Sequence, residues 1–310
     1  MLETTNLKKV FKDKIAVNDV NLYLNEGESI GLLGPNGAGK STMISMMSTL
    51  IKPTSGDITF DGKSVVKNPN VIRKVLGVVP QEIAVYLELT AYENLKFFGK
   101  VYGLTGKKLE EKIKEVLDIV GLTERQNDVV KNFSGGMMRR LNIAIALLHD
   151  PKIVFMDEPT VGIDPQSRNY MIDMVRKLNE EKGTTVLYTS HYMEEVERLC
   201  DRIYIMDHGK IIATGTKEEL TSILSSEESI FIELERPYPQ FASELEKLED
   251  ILNVSITETG IKLIVPKNSR LLSHIFHLAE KLDVQIINLN VHVPTLEDVF
   301  LHLTGRTLRD

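Results

Sequence analysis

The chain has 310 residues, 42% apolar and 26% charged, which is an ordinary globular composition and enough for two domains. Its 37 basic and 44 acidic residues give a formal net charge of −7, which argues against a protein that binds nucleic acid through a basic surface. No apolar run approaches the roughly 18–20 residues of a membrane-spanning helix. If the protein acts at a membrane, we therefore expect it to do so as a peripheral subunit. The single cysteine, Cys200, excludes a disulfide within the chain and suits a reducing cytosol.

Short apolar runs in the first two thirds of the chain predict strands buried on both faces of a parallel sheet. These runs are Ile30–Leu33, Val75–Val79, Ile153–Met156 and Val186–Thr189. Helical patterns alternate with them, which predicts an α/β fold. Between the second and third strands we expect a helical insertion, clearest at Lys107–Val120, where apolar residues recur at helical spacing. A hairpin over Ile203–Ala213 is expected to close this domain.

A glycine-rich loop follows the first predicted strand and matches the phosphate-loop pattern G-x-x-x-x-G-K-[ST]. Glycines let the backbone N–H groups point at phosphate oxygens, and the helix that follows adds its positive end. We expect Lys40 to supply charge to the β- and γ-phosphates, and the Ser41 hydroxyl can ligate Mg²⁺. The predicted ATP-binding residues of this loop are Gly34, Pro35, Asn36, Gly37, Ala38, Gly39, Lys40, Ser41 and Thr42.

Two adjacent acids, Asp157 and Glu158, end the third predicted strand. In doubly wound sheets ligands bind at the carboxyl ends of the strands, so both acids are expected beside the phosphate loop. We expect Asp157 to hold Mg²⁺ through water, and Glu158 to orient or deprotonate an attacking water.

A second anion site is predicted at Ser134, Gly135 and Gly136, which open another helical run. Serine is a good N-cap, and glycine allows a close approach of the backbone to a ligand. Because the phosphate loop already serves one nucleotide, we expect this helix start to face the nucleotide of another molecule.

The chain changes character after Gly215. Residues 216–228 are polar and predict a linker. The remaining pattern predicts a small α+β, ferredoxin-like domain of β-α-β-β-α-β order with an added C-terminal helix. Its predicted elements are strand 230–235, helix Pro239–Leu248, strands Ile251–Thr257 and Gly260–Val265, helix Ser269–Leu282, strand Val284–Val291 and helix Pro294–Leu303. No catalytic cluster is evident in it.

Together these motifs resemble those of ATP-binding cassette (ABC) proteins, in the same order, over roughly Met1–Leu220. The resemblance implies a P-loop NTPase cassette with a helical subdomain. It identifies Gln81 with the Q-loop, Asp164 with the D-loop and His191 with the switch histidine. Phe11 matches the aromatic that stacks on adenine. It also implies Ser41, Gln81 and Asp157 as Mg²⁺ ligands, and Lys40, Gln81, Glu158 and His191 as catalytic residues.

A narrower resemblance, to daunorubicin-resistance exporter ATPases, rests on 190–195, Asp201-Arg202 and the ending 294–306. These proteins partner with ABC-2-type membrane subunits and carry an extra C-terminal domain. The sequence departs from the family at Phe133 and Met137, where leucine and glutamine are usual. It departs again at Val161, where serine or threonine is common. Phe133 exchanges one hydrophobic residue for another, whereas Met137 lacks the usual polar side chain and Val161 the usual hydroxyl, which weakens side-chain contacts at these two positions. The contact of Ser134 and Gly136 to phosphate is unaffected.

The resemblance therefore implies an ATP-hydrolysing exporter subunit at the cytoplasmic face of the membrane, paired head to tail with a second ATPase domain. Residues 1–220 are expected to form the cassette, with a helical subdomain at about 82–148, and 221–310 a regulatory or dimer-stabilising domain. A non-transport ABC ATPase acting on nucleic acid or the ribosome is the alternative, and a binding module with an inactive site is a third. The cargo stays open, as does the choice between homodimer and heterodimer. Tyr86 and Leu87 fit either a groove for the membrane subunit or the core.

Overall fold

The computed structural model describes residues 1–224, 227–236, 238–248, 250–257, 259–266, 269–292 and 295–304. They divide into two compact units, 1–217 and 218–304. Within these described residues, no helix is both long enough and apolar enough to cross a membrane. Pro294, Gly305 and Arg306, which carry part of the narrower resemblance, lie outside the described residues.

The strands of the first unit form two sheets. They are β1 (Leu2–Phe11), β2 (Lys14–Leu24), β3 (Ser29–Leu33), β4 (Ser55–Phe60), β5 (Lys63–Ser64), β6 (Leu76–Val79), β7 (Ile153–Asp157), β8 (Thr185–Ser190), β9 (Arg202–Asp207) and β10 (Lys210–Gly215). The larger sheet has the order β10-β9-β3-β8-β7-β6, and only β10 is antiparallel to its neighbour. The predicted parallel sheet and closing hairpin are therefore both present.

The second sheet of this unit is antiparallel, in the order β2-β1-β4-β5. One face of it and one face of the parallel sheet bury a common core, which includes Leu2, Leu22, Leu32, Met43 and Phe155. Leu32 of β3, Ala38 of the glycine-rich loop and Met43 just after that loop all belong to this core, which ties the loop to both sheets.

The helices between residues 1 and 221 are α1 (Lys40–Met47), α2 (Asn70–Arg73), α3 (Ala91–Val101), α4 (Gly106–Ile119), α5 (Gly135–Leu147), α6 (Pro165–Lys182), α7 (Met193–Leu199) and α8 (Lys217–Thr221), the last of which begins at the final residue of the first unit. Helices α3, α4 and α5 form the helical insertion between β6 and β7. The start of α3 is fixed by a capping box, in which Thr90 and Glu93 satisfy each other's backbone N–H groups. In α4 the residues Leu109, Ile113 and Val116 are buried at the predicted helical spacing.

The second unit contains β11 (Glu227–Leu234), α9 (Pro239–Leu245), β12 (Asn253–Ile256), β13 (Gly260–Pro266), α10 (Leu272–Lys281), β14 (Ile286–His292) and α11 (Leu296–Thr304). Its antiparallel sheet has the order β12-β13-β11-β14, packed on a core that includes Phe241 and Ile275. The observed order of elements is the predicted one. The linker prediction is wrong at its end, because Glu227 and Glu228 already pair with Pro266 and Val265 of β13.

Candidate functional site

The glycine-rich loop lies between β3 and α1, pressed against neighbouring backbone. Gly39 adopts φ = 112°, in the left-handed region, and a Cβ there would lie 2.4 Å from the carbonyl oxygen of Ala16. A Cβ on Gly34 would lie 2.4 Å from the carbonyl oxygen of Met206. Only glycine satisfies both constraints, and the loop can then curl in front of the N-terminus of α1.

Lys40, the first residue of α1, is 5% exposed and reaches back into this loop. Its Nζ donates to the carbonyl oxygens of Gly34 (2.8 Å) and Pro35 (3.3 Å) and lies 3.3 Å from Oε1 of Glu158. These contacts hold a positive charge at the centre of the loop, where phosphate oxygens would bind.

A cavity of about 370 Å³ opens in front of the loop, a size suited to a small-molecule ligand. It is lined by Phe11, Lys14, Ala16, Asn36, Gly37, Gly39, Lys40, Ser41, Thr42, Gln81 and Glu158. Gly34, Pro35 and Ala38 shape the loop without lining the cavity. A larger surface groove, about 450 Å³, lies beside α6 and is lined by residues such as Tyr170 and Lys177. That groove contains none of the predicted site residues, so the smaller cavity is the candidate site.

Of the two acids, Glu158 lines the cavity and Asp157 does not. Both lie at the end of β7, which β8 separates from β3 in the sheet. In the sheet register, Leu33 is opposite Ser190, and Asp157 is opposite Thr189. Thr189 Oγ1 donates to Asp157 Oδ1 at 2.8 Å and accepts from the backbone N–H of Glu158 at 2.8 Å. One threonine on the middle strand thus fixes both acids relative to the phosphate loop.

The carboxylate of Glu158 is the point where the predicted catalytic residues meet. Oε1 lies 3.3 Å from Nζ of Lys40, while Oε2 lies 3.2 Å from Nδ1 of His191 and 3.5 Å from Nε2 of Gln81. Glu158 is 6% exposed, with φ = 47° in the left-handed region. Such a conformation costs a non-glycine residue about 1–3 kcal/mol and is found at functional sites, where the surrounding structure holds it.

Arg139 connects α5 to the segment that carries Gln81. Its guanidinium is buried and donates to the carbonyl oxygens of Pro80 and Gln81. Burial lowers the pKa of this guanidinium. These hydrogen bonds connect the helix that Ser134 begins to the glutamine at the edge of the cavity.

Ser134, Gly135, Gly136 and Asp164 do not line the cavity in this chain. Ser134 caps α5 by accepting from the backbone N–H of Met137 at 3.2 Å, and Asp164 caps α6 by accepting from Ser167 at 2.9 Å. The two helix starts are close neighbours, because a Cβ on Gly136 would lie 2.6 Å from Oγ of Ser167. Ser134 and Asp164 are exposed, so these helix starts form a second polar surface, separate from the phosphate loop.

Comparison with known proteins identifies the family. A family model described as ABC transporter matches residues 17–161. The linearmycin resistance ATP-binding protein LnrL of Bacillus subtilis is 47% identical over 312 residues, covering 100% of both chains. The chain belongs to the ABC transporter ATP-binding family.

Two further relatives and a solved structure are also similar to this ABC protein. The daunorubicin/doxorubicin resistance ATP-binding protein DrrA of Streptomyces peucetius is 36% identical over 100% of this chain and 94% of its own. The Nod factor export ATP-binding protein I of Sinorhizobium fredii is 37% identical over 100% of this chain and 87% of its own. A dimeric ATP-binding cassette in a post-hydrolysis state, bound to ADP and Pi, matches with a TM-score of 0.64 at 29% identity, over 70% of this chain and 98% of that one. The predicted ABC cassette fold and the predicted ATPase are confirmed.

Sequence reasoning missed several residues of this ABC site. Thr189 lies in the predicted strand before His191, but no function was predicted for it. The pairing of β7 with β8 places it opposite Asp157. Lys14 and Ala16 line the cavity from the N-terminal antiparallel sheet, which was not predicted at all. Arg139 gave no signal, because nothing in a helical pattern distinguishes a buried arginine from an exposed one.

Proposed function

We propose that this ABC ATPase drives the export of an antibiotic or lipid-like molecule through a separate ABC-2-type transmembrane subunit. Full-length relatives named for linearmycin resistance, daunorubicin resistance and Nod factor export support an exporter. The ATPase acts from the cytoplasmic face of the membrane, where its partner subunit provides the transport path.

The observation that carries the catalytic part of this proposal is the convergence of Lys40, Gln81 and His191 on the buried Glu158 carboxylate. A carboxylate at the end of a buried strand, close to the γ-phosphate position, is suited to take the proton of an attacking water. His191 steadies the γ-phosphate and the attacking water, and Lys40 balances the charge that develops on the phosphate oxygens.

The donor set beside the loop fits Mg²⁺, because Ser41, Gln81 and Asp157 all offer oxygen atoms, which this hard cation prefers. Ser41 and Gln81 line the cavity, and Asp157 is held by the Thr189 hydroxyl. When bound, Mg²⁺ neutralises charge on the β- and γ-phosphate oxygens.

ATP is proposed to lie in the 370 Å³ cavity with its phosphates on Gly34–Thr42 and its adenine on the ring of Phe11. Phe11 is 48% exposed and lines this cavity, which supports its role as the adenine contact. Lys9 Nζ lies 5.0 Å from the ring centroid, which adds a cation–π contact.

The active form is proposed to be a head-to-tail dimer in which Ser134, Gly135, Gly136 and Asp164 of one copy close over the ATP of the other. Free N–H groups and the positive end of α5 suit this surface to the γ-phosphate of a partner's nucleotide. ATP then supplies contacts that exist only in the closed dimer, and loss of the γ-phosphate removes them.

A surface next to Gln81 is suited to the transmembrane partner. Tyr86, Leu87 and Phe97 are 48%, 47% and 43% exposed, and the Tyr86 and Phe97 rings pack edge to face at 5.1 Å. The alternative that Tyr86 and Leu87 belong to the core is therefore wrong. The side chain of Asn94 accepts a hydrogen bond from the backbone N–H of Tyr86 and donates one to the Tyr86 carbonyl oxygen. These two bonds fix the backbone that carries this aromatic surface.

The domain organisation is proposed to be a cassette over 1–220, with a helical subdomain at about 82–148, followed by an accessory domain over 221–310. The accessory domain is assigned a regulatory or dimer-stabilising role. Among the residues that the structure describes, no group of three or more His, Cys, Asp or Glu side chains could hold a metal ion.

The test is to co-express the chain with an ABC-2-type membrane subunit, sought first among the neighbouring genes, and to reconstitute the complex in liposomes. ATP hydrolysis and ATP-dependent movement of a lipophilic antibiotic probe are both expected, and both should be lost in the Glu158→Gln variant. Hydrolysis without any copurifying membrane subunit would contradict the transport proposal and favour an ABC ATPase of another class.

A further inference from the structure

A second buried carboxylate, that of Glu195, lies behind the strand end that carries His191. Glu195 is in the first turn of α7, is 1% exposed, and does not line the cavity. A carboxylate removed from water is costly unless its oxygens accept several hydrogen bonds. Its surroundings therefore indicate what holds it there.

Three hydroxyl groups converge on this carboxylate. Thr160 Oγ1 lies 2.8 Å from both oxygens, Tyr188 OH lies 2.9 Å from Oε2, and Ser190 Oγ lies 2.7 Å from Oε2. Burial and the charge of Glu195 raise the pKa of Tyr188 well above its ordinary value, so this hydroxyl remains a donor. Nε of Arg168 lies 3.4 Å from Oε1 and balances the charge.

The contact with Ser190 fixes the backbone on both sides of the switch histidine. Ser190 Oγ donates to Glu195 and also accepts from the backbone N–H of Tyr192 at 2.9 Å. His191 is the residue between them, and its Nδ1 lies 3.2 Å from Glu158 Oε2. The Glu195 carboxylate therefore orients the hydroxyl that sets the position of His191.

The other contacts reach the segment after Glu158 and the helix that Asp164 caps. Thr160 follows Glu158 by two residues. Arg168 belongs to α6, and its guanidinium lies 3.9 Å from the centroid of the Tyr192 ring. One carboxylate thus joins three segments, those that carry Glu158, His191 and Asp164.

We propose that Glu195 is a positioning residue for ATP hydrolysis, which holds His191 against Glu158 and connects both to the Asp164 helix start. The inference rests on the proposed roles of Glu158 and His191. An ionised carboxylate accepts from all three hydroxyls at once. A glutamine amide of the same shape offers one oxygen and places an N–H₂ group among the same donors.

The primary test compares Glu195→Gln with Glu194→Gln in the full chain. Glu194 is an exposed carboxylate in the same turn, so it is a matched control. We expect Glu195→Gln to lower kcat about tenfold or more while KM for ATP stays within about twofold, because the phosphate loop is untouched. Glu194→Gln should match wild type. An unchanged kcat in Glu195→Gln, or an equal loss in Glu194→Gln, would overturn the proposal.

A cycle with His191→Ala separates positioning from general stability. If Glu195 acts through His191, adding Glu195→Gln to His191→Ala should lower the residual single-turnover rate by less than about twofold. Multiplicative losses would show that Glu195 does not act through His191. Ser190→Ala provides a milder second variant should Glu195→Gln not fold, and it too should lower kcat with little change in KM. Wild-type kcat in Ser190→Ala would overturn the proposal.

Parallel assays of Glu158→Gln and His191→Ala distinguish this inference from the proposed function. If both retain wild-type turnover, the catalytic assignment fails. If both lose turnover while Glu195→Gln and Ser190→Ala do not, only the positioning role fails.

Discussion

The ammonium nitrogen of Lys40 lies 3.3 Å from Oε1 of Glu158, and both side chains are more than nine-tenths buried. The phosphate-binding cation and the proposed general base are thus direct partners. The same contact places a negative charge beside the position proposed for the γ-phosphate. Because like charges repel, the negative charge that suits Glu158 to take a proton from water also opposes binding of the γ-phosphate.

This relationship leads to a prediction for Glu158→Gln. Turnover should fall by about 10²–10⁴-fold, the usual contribution of a general base. ATP affinity should be equal to wild type or higher, because the amide removes the charge that opposes the γ-phosphate and competes for Lys40. Steady-state kinetics and equilibrium binding of ATP measure the two effects separately.

The matched control for that variant is Glu82→Gln, which neutralises an exposed acid next to Gln81 without touching the cavity. It should leave both turnover and binding unchanged. A Glu158→Gln protein that hydrolyses ATP at the wild-type rate would remove Glu158 from the mechanism.

Lys40→Ala should weaken ATP binding by about 10–100-fold, since a charge-assisted hydrogen bond to phosphate contributes about 1.5–3 kcal/mol. The carbonyl oxygens of Gly34 and Pro35 lose a donor as well, so a small drop in melting temperature is expected. Lys52→Ala, an exposed lysine outside the cavity, is the control. Undiminished nucleotide affinity in Lys40→Ala would contradict the assignment of the loop.

The phosphate loop and the parallel strands were predictable because each is a local sequence pattern. The acid pair was predictable because it ends one of those strands in a chain that also has the phosphate loop. The N-terminal antiparallel sheet was not predictable, because the pairing of β1 with β2 is irregular. Its register shifts between Thr4 and Leu7, between Leu7 and Lys9, and between Lys9 and Val10. Such irregularities break the two-residue alternation that reveals a strand. Polar partners such as Thr189 and Arg139 become visible only when distant segments are brought together.

Thr189→Val tests the threonine that holds both acids. The variant keeps the side-chain shape but leaves Asp157 without its 2.8 Å donor and the Glu158 N–H without its acceptor. Each lost buried partner costs about 1–3 kcal/mol, so lower stability and roughly tenfold lower kcat are expected. Thr189→Ser retains the hydroxyl and should stay near wild type in both respects. Equal behaviour of the two variants in thermal melts and kinetics would show that the hydroxyl is not what matters.

Glu28 predicts a pH dependence of folding. Burial raises the pKa of Glu28, but hydrogen bonds from Arg202 and Asn25 and the Arg202 charge outweigh it, so its pKa lies below the ordinary 4.5. Arg202 holds both carboxylate oxygens, at 2.7 and 2.8 Å. A depressed pKa gives stability that is present above the unfolded-state pKa and is lost as pH falls through the folded-state pKa.

The free energy of unfolding should therefore differ between wild type and Glu28→Gln most at neutral pH, by about 1.5–3 kcal/mol. The difference should shrink as the pH falls below 4.5, the ordinary value. Urea titrations of both proteins at several pH values measure it. Glu26→Gln, at a nearby exposed acid, should show no such trend, and a pH-independent difference for Glu28→Gln would contradict the ion-pair account.

The proposed shared site makes the last prediction, which rests on the exposed Ser134 at the start of α5. Ser134→Arg places a long side chain where a partner's γ-phosphate would lie, in a part of the chain that does not line the phosphate-loop cavity. ATP binding should stay within about threefold of wild type, while hydrolysis and ATP-dependent dimerisation should both be lost. Size-exclusion chromatography with ATP and a phosphate-release assay measure these effects.

Mixing Ser134→Arg with Lys40→Ala makes the test sharper. It is done at an ATP concentration well below the weakened Kd of Lys40→Ala, where neither variant alone should turn over ATP. A head-to-tail heterodimer of the two contains one site with both lesions and one with neither, so part of the activity should return. Only partial recovery is expected, since closure draws on ATP at both sites. Wild-type protein taken through the same subunit exchange is the control. If it stays active while the mixture recovers nothing, the two helix starts do not complete a partner's site, and Ser134 acts within its own chain.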